Sequence, residues 1–456
     1  MKLPCIKPLI TLLLIFIFVF QVNSQNYSIA LNSSVSTKET LPFFLTANKY
    51  GVIPNSNNAL VSTSIFSDFN NSDNMFDIAY KAAVTGILAD KNELLINELY
   101  ISIATKNWQL DLGNKNDDIL FEGLSVSNGN IINSINTRAF PGINLKTRSY
   151  LELPFAKKWL KVKANYAEYF LNDKRVVDNV HLHNKSLYFK SKLSNNLSLI
   201  TGLDHYVLWG GTSEEFGKQP SNFKHYLKYI TGQGDGNKTQ DAVNSSNAWG
   251  NHLGSYLVQL DYKTEQLNWS FYWSHPFEDR SGRELANYPD ALYGLFIDLK
   301  NPKSFVTHII TEFQYTKHQG KNSSENGLID NYFNNTIYGS GWTYYGRTIG
   351  SPFFTTKTQV DGVTKGIAEN RFTSINFGFK GFISPTIQYK TNLTYTYYPG
   401  WFNSPVQESQ FSPYLELYLK NESIPFDISV GTAADFGNFL PTNFGGFLKL
   451  TKTGIF

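Results

Sequence analysis

Residues 266–276 read Gln-Leu-Asn-Trp-Ser-Phe-Tyr-Trp-Ser-His-Pro, with Leu267, Trp269, Phe271 and Trp273 alternating with Asn268, Ser270, Tyr272 and Ser274. Successive side chains of an extended chain point to opposite sides, so a period of two marks a strand with one apolar and one polar face. The pattern recurs outward from this segment. Tyr256, Val258, Leu260 and Tyr262 alternate with Gln259, Asp261 and Lys263; Ile375, Phe377 and Phe379 with Asn376 and Lys380; Leu393, Tyr395 and Tyr397 with Asn392, Thr394 and Thr396. About seventeen such segments are expected between residues 75 and 456, one of them at 336–345.

Two architectures absorb this many strands. A soluble sandwich or propeller buries the apolar face, whereas an outer-membrane barrel turns it to lipid and its polar face to a lumen. The connections favour the barrel. Some are short (90–93, 194–196, 382–385) and others long (209–252, 318–335, 346–370), although in this count they do not alternate strictly. Tyr397, Tyr398, Trp401 and Phe402 gather at a segment end, as an interfacial girdle requires. The chain stops inside a strand at Phe456, with Leu448 and Leu450 on one face. No repeat of 40–50 residues marks a propeller. The expected fold is all-β, a transmembrane antiparallel barrel; bacterial barrels have even strand counts, so eighteen strands are expected, with sixteen the other reading.

Composition agrees. Of 456 residues 15% are aromatic and 17% charged, and the net charge is +3, which excludes a disordered chain and a strongly basic nucleic-acid binder. Lys2 and Lys7 precede the apolar run Leu9 to Phe20, with Val22 and Ser24 at small-residue positions before Gln25. That is the layout of a secretory signal peptide over 1–24, too short to span a membrane. Residues 25–74, rich in Asn, Ser and Thr, are expected to form an N-terminal periplasmic segment or plug, and 75–456 the barrel. Cys5 is the single cysteine and lies before the apolar run, so no disulfide framework exists.

Signatures of catalysis are weak, and no enzyme, cofactor or metal is expected. His181 and His183 share one strand face, Asp235 to Asp241 superficially resembles a calcium loop, and Glu214-Glu215 and Glu278-Asp279 are acidic pairs. Gln240 and Ser246 occupy positions where a calcium loop needs Gly and Glu. No nucleophile elbow, phosphate loop or dinucleotide fingerprint is present.

The long connections carry more. His205-Tyr-Val-Leu-Trp209-Gly210-Gly211-Thr, Trp249-Gly-Asn251-His252-Leu-Gly and Phe277-Glu278-Asp279-Arg280-Ser-Gly each join an aromatic plate, glycines and hydrogen-bonding groups. Such sets suit sugar hydroxyls and ring faces; they equally suit loop packing over a barrel mouth. If the apolar parity faces outward, Lys146, Arg148, Lys161, Lys163, Lys190 and Lys192 form a basic wall in the lumen. The inward acids Asp261, Glu312, Glu416 and Asp427 then lie on later strands, with Glu152 a nearby exception. The wall is either a track for an acidic polymer or a set of partners for loop carboxylates such as Asp117 and Asp118.

In this order, an exported barrel, Glu98-Leu99-Tyr100 on an early strand, and the motifs from His205, Gly250 and Phe277 resemble the Wzi capsule-assembly family in its Bacteroidetes-type form. The resemblance runs over most of the chain beyond residue 24 and is most specific between 205 and 282. It implies an eighteen-stranded outer-membrane barrel with a small helical element on its periplasmic side, acting as a surface lectin for capsular polysaccharide without turnover. The N-terminal part departs from that pattern, being poor in helical periodicity, so a reduced plug is expected. The implied partners are surface polysaccharide, outer-membrane lipid and the barrel assembly machinery, with no nucleic acid. A porin for polar solutes is the alternative, and a barrel-embedded hydrolase a more distant one.

Overall fold

A computed structural model describes residues 25–70, 75–156, 158–234, 248–320 and 329–456. The proposed signal peptide and the stretch 235–241 lie outside the described residues.

Eighteen antiparallel strands, β1 to β18, form one sheet. They span Asn26–Ser36, Asn58–Ser67, Asp77–Leu88, Glu93–Ala104, Trp108–Asn114, Pro141–Thr147, Leu160–Leu171, Val180–Lys192, Leu197–Trp209, Asn251–Lys263, Asn268–Phe277, Ala291–Asp298, His308–Tyr315, Thr373–Ser384, Ile387–Trp401, Ser404–Leu419, Asp427–Gly437 and Asn443–Ile455. A two-residue piece, Leu151–Glu152, continues β6 along β7 after a break. Each strand pairs with the next in sequence. β1 then pairs with β18, Asn26 opposite Ile455, which closes the sheet and leaves no edge. The chain end serves this closure: the Phe456 N–H donates to the Gln25 carbonyl at 2.9 Å, and its ring lies 4.9 Å from Tyr27.

Two features of the sequence reading are corrected. Residues 25–74 are not a separate segment, because 26–36 and 58–67 are the first two barrel strands. Their inward residues are small and polar (Ser28, Asn32, Ser34, Ser62, Ser64), so the alternation with Ile29, Leu31, Val61 and Ile65 has low contrast. Conversely, 336–345 is loop. It alternates in hydrophobicity because it is buried in a packed interior. With both corrections every long connection falls at one end of the barrel: 37–57, 115–140, 210–250 and 316–372. Both termini and turns such as 105–107, 193–196, 264–267 and 385–386 fall at the other, which by the usual asymmetry of outer-membrane barrels is the periplasmic end.

Besides short 3-10 turns at Phe121–Gly123 and, in a periplasmic connection, Pro154–Ala156, three α-helices are present among the described residues: α1 (Phe43–Thr46), α2 (Phe223–Thr231) and α3 (Arg280–Arg283). All three α-helices lie in connections at the long-loop end, and the periplasmic side, where the family resemblance placed a helical element, carries only the three-residue turn Pro154–Ala156.

Outward parity is apolar as expected; in β11 Phe271 is exposed, while Tyr272 and Ser274 face inward and are buried. The lumen is filled near the long-loop end. Phe44 and Leu45 from 37–57, Val126, Ile131 and Ile132 from 115–140, and Phe333, Trp342, Phe353 and Phe354 from 316–372 form one apolar cluster inside the barrel. The Trp342 indole donates to the Ile132 carbonyl at 2.6 Å, tying two of these segments together.

Candidate functional site

The segment 115–140 enters the lumen because the polar inner wall supplies partners for its backbone. Glu312 on β13 accepts from Ser125 Oγ at 2.6 Å, the Val126 N–H at 2.8 Å, Ser127 Oγ at 2.9 Å and Tyr272 Oη at 2.9 Å. Asn392 donates to the Leu124 carbonyl at 2.8 Å, and Asn130 donates to Asp204 at 2.7 Å. A buried polar group costs free energy unless it is paired. These wall residues and this loop satisfy one another.

The basic wall is real in position but is not a free track. Lys146 pairs with Asp111 at 2.9 Å, Lys161 with Glu152 at 3.1 Å and Lys190 with Asp261 at 3.4 Å. Arg148 stacks on Phe69, 4.7 Å away, and Lys163 stands 5.9 Å from the Tyr150 ring. Lys192 is exposed at the periplasmic turn. Asp111 is an inward acid the sequence count omitted, as are Glu98 and Asp204, so opposite charges share this wall rather than facing each other across the pore. A polar cavity of about 530 Å³ lies here, lined by Asp111, Asp117, Lys115, Lys146, Arg148 and Lys163.

The motif residues from 205 to 252 sit elsewhere than expected. Trp209 ends β9 on the outer wall of the barrel, 9% exposed. His181 stacks on it at 4.5 Å, Tyr226 and Tyr229 of α2 lie at 5.0 and 5.7 Å, and its indole donates to Glu168 at 3.3 Å. Its faces are therefore occupied by protein. His205 and His252 share a hydrogen bond of 3.0 Å, and His252 contacts the Trp249 carbonyl at 2.7 Å. Trp249 packs edge-on to His225 at 5.8 Å. Gly210 and Gly211 both have positive φ (63° and 84°), and a Cβ on Gly211 would stand 2.6 Å from the Asp178 carbonyl oxygen, so the pair makes a tight strand exit. Asn251 is buried against Asn335 at 3.4 Å.

The third motif does reach the mouth. Phe277 is buried at 4.9 Å from Tyr256. Glu278 accepts the Phe333 N–H at 2.6 Å, and burial raises its pKa well above the ordinary carboxylate value. Asp279 caps α3, accepting from the Gly282 N–H at 3.2 Å. Arg280 reaches Glu284 at 2.7 Å with its side chain 82% exposed. Beneath them Asp290 accepts from the His318 and Gln319 N–H groups at 2.8 and 2.7 Å and from Tyr332 Oη at 2.8 Å; burial lifts its pKa to about 6. Across the mouth Tyr345 is 39% exposed, with the Arg138 guanidinium 4.2 Å from its ring.

Sequence reasoning passed over Glu168, Tyr226 and the Tyr345–Arg138 pair. Glu168 carried a signal. It breaks the outward apolar parity of β7 (Val162, Tyr166, Phe170), so something had to cover it. His183 Nδ1 meets it at 2.6 Å and Tyr226 Oη donates to it at 2.5 Å. His181 and His183 are thus parts of this packing.

A family described as capsule assembly protein Wzi matches residues 26–364, from the first residue of β1 into the loop before β14. No curated protein matches the chain. Wzi of Escherichia coli, an outer-membrane protein involved in group 1 capsule assembly and a carbohydrate-binding barrel, superposes with a TM-score of 0.59 at 14% identity, over 93% of this chain and 83% of that one. OpdO of Pseudomonas aeruginosa gives 0.50 at 11% identity, over 95% and 98%. At these identities the likenesses speak for the fold, while the family match covers well over half of the sequence. The chain belongs to the Wzi family of capsule assembly proteins, and its fold is the closed eighteen-stranded outer-membrane barrel.

Proposed function

We propose that this barrel binds capsular or other surface polysaccharide at its long-loop end and anchors it there, as a lectin without turnover. The observation that carries the reading beyond family membership is the filled lumen: three connections pack into one apolar core where a diffusion porin keeps an aqueous constriction. The signal peptide over 1–24 delivers the chain, the barrel assembly machinery inserts it, and outer-membrane lipid surrounds it. We assign sugar contact to solvent-facing groups at the mouth. Asp279, Arg280 and Glu284 offer charged hydrogen-bonding groups, and Tyr345 beside Arg138 offers a ring face. Trp209, His205 and His252 support the loops from the outer wall.

The test removes Arg280 and Tyr345 (both to Ala) in the native cell. Capsule retention and binding of purified protein to the cell's own polysaccharide are expected to fall, with heat-modifiable migration unchanged. Retention unaffected by deletion of the whole chain, together with porin-like conductance of purified protein in planar bilayers, would replace this reading with the porin.

A further inference from the structure

The helix α2 lies against the outer wall of the barrel, on the side where the neighbouring strands meet lipid. Its Tyr226 packs over Glu168, His183 and Trp209, all on outward-facing positions of β7, β8 and β9. The Ile230 carbonyl accepts a hydrogen bond from Lys185 on the same wall. Asn222 caps the helix, accepting from the His225 N–H at 3.0 Å, and Gly232 closes it with φ 66°. The element is defined at both ends.

Its faces are sorted by the 3.6-residue period. Tyr226 and Tyr229 meet the barrel. His225 and Tyr229 turn toward Trp249, at the loop end. The opposite flank descends the wall, because the Tyr226 hydroxyl meets that of Tyr166, which is two residues nearer the periplasmic end of β7 than Glu168 and 42% exposed. On that descending flank stand Phe223, 74% exposed, and Leu227, 44% exposed, one helical turn apart. Below them the apolar belt continues: Leu187, two residues beyond Lys185 on the same outer face, is 44% exposed. Lys224 and Lys228 occupy the face turned away from the barrel.

We propose that α2 is an interfacial anchor that seats Phe223 and Leu227 in the outer leaflet at the boundary of headgroups and acyl chains, with Lys224 and Lys228 level with lipid phosphates. An amphipathic helix lying in the interface, apolar side down and lysines at headgroup height, is stabilised both by burial and by anionic lipid. The occupant is lipid because the apolar flank is continuous with the lipid-facing belt of the barrel and because the adjoining face is cationic. The polar residues under the helix on the outer wall (Glu168, His183, Lys185, His205) are then shielded from the bilayer by α2.

The experiment places a nitroxide on Leu227→Cys in full-length protein carrying Cys5→Ser, in nanodiscs of mixed phosphatidylcholine and phosphatidylglycerol. Leu187→Cys serves as the lipid-belt reference and Glu214→Cys as the water reference, and heat-modifiable migration checks each fold. The expected result is a Leu227 label accessible to oxygen and shielded from a water-soluble nickel chelate, close to Leu187. A label as open to the chelate as Glu214 overturns the proposal. Dipolar broadening that reports a second copy at Leu227 overturns it in favour of self-association.

Discussion

Replacing Glu312 by Ala should unlatch the lumen without unfolding the barrel. The carboxylate is 1% exposed and accepts four hydrogen bonds, from Ser125, Val126, Ser127 and Tyr272, at 2.6 to 2.9 Å. Hydrogen bonds to a charged group are worth about 1.5–3 kcal/mol each, and donors left buried without a partner cost a similar amount. The four bonds share one group, and water entering the gap restores part of the loss, so roughly 4–8 kcal/mol bounds the effect. At the low end, about 4 kcal/mol multiplies the detached population of 115–130 roughly a thousandfold. The wall itself survives, because the ladders of β13 to β12 and β14 run through its backbone. Asn392 at the Leu124 carbonyl and Trp342 at the Ile132 carbonyl remain as tethers, so transient opening is expected rather than expulsion. In planar bilayers Glu312→Ala should show flickering conductance above the parent's, and added protease should cut within 115–130. Glu312→Gln keeps one acceptor oxygen and should fall between. A silent, protease-resistant Glu312→Ala would refute the latch.

Three further outcomes follow from the same geometry. Phe271→Arg places a charge on the lipid-facing side of β11, away from the periplasmic turn, and should cost about 2–4 kcal/mol, impairing assembly, whereas Ser270→Arg, facing the lumen beside Asp261 (2.7 Å), should be tolerated, as refolding yields will show. Trp209→Ala removes the plate beneath α2. A cost of about 3–5 kcal/mol for losing a buried aromatic should appear as protease cutting at 223–231 from a barrel that remains heat-modifiable. Asp290 has a folded pKa raised from 3.8 to about 6 by burial, so the folded mouth binds the extra proton. Its stability contribution is full below about pH 4 and is lost as pH rises through about 6; protease resistance of 316–320 should follow that window in the parent and flatten in Asp290→Asn.

Strands whose inward residues contrast with their outward ones were legible in the sequence, β11 most of all, since lipid demands an unbroken apolar row from a strand that spans it. β1 and β2 obey the same rule with weaker contrast. The expected strand at 336–345 failed for the opposite reason: Ile337, Trp342 and Tyr344 are apolar because they pack inside the lumen, and burial in a loop imposes no ladder. Hydrophobicity reports an apolar neighbour and does not say whether that neighbour is lipid or protein.

The candidate site divides along the same line. Parity alone points Lys146, Lys163 and Lys190 to the inner side of their strands, and parity alone would have placed Trp209 on the outer wall with Leu199 and Leu203, had the strand been carried to its last residue. It would also have flagged Glu168, His183, Lys185 and His205 as polar groups on a face owed to lipid, and so the need for a cover. It could not have named the cover. Residues 223–231 reach Glu168 across a sequence separation of 58 residues. The mouth is built from pairings as distant or more so: Glu278 with the Phe333 N–H at 55 residues, Arg175 with the Thr343 carbonyl at 168, and Arg347 with the Ile53 carbonyl at 294. A strand's partner is its neighbour in sequence, so local periodicity is enough to find the wall. A loop's partner is whatever buried donor it can satisfy, and no period connects Arg347 to Ile53. That is why the barrel could be read from the sequence while its long-loop end had to be read from the structure.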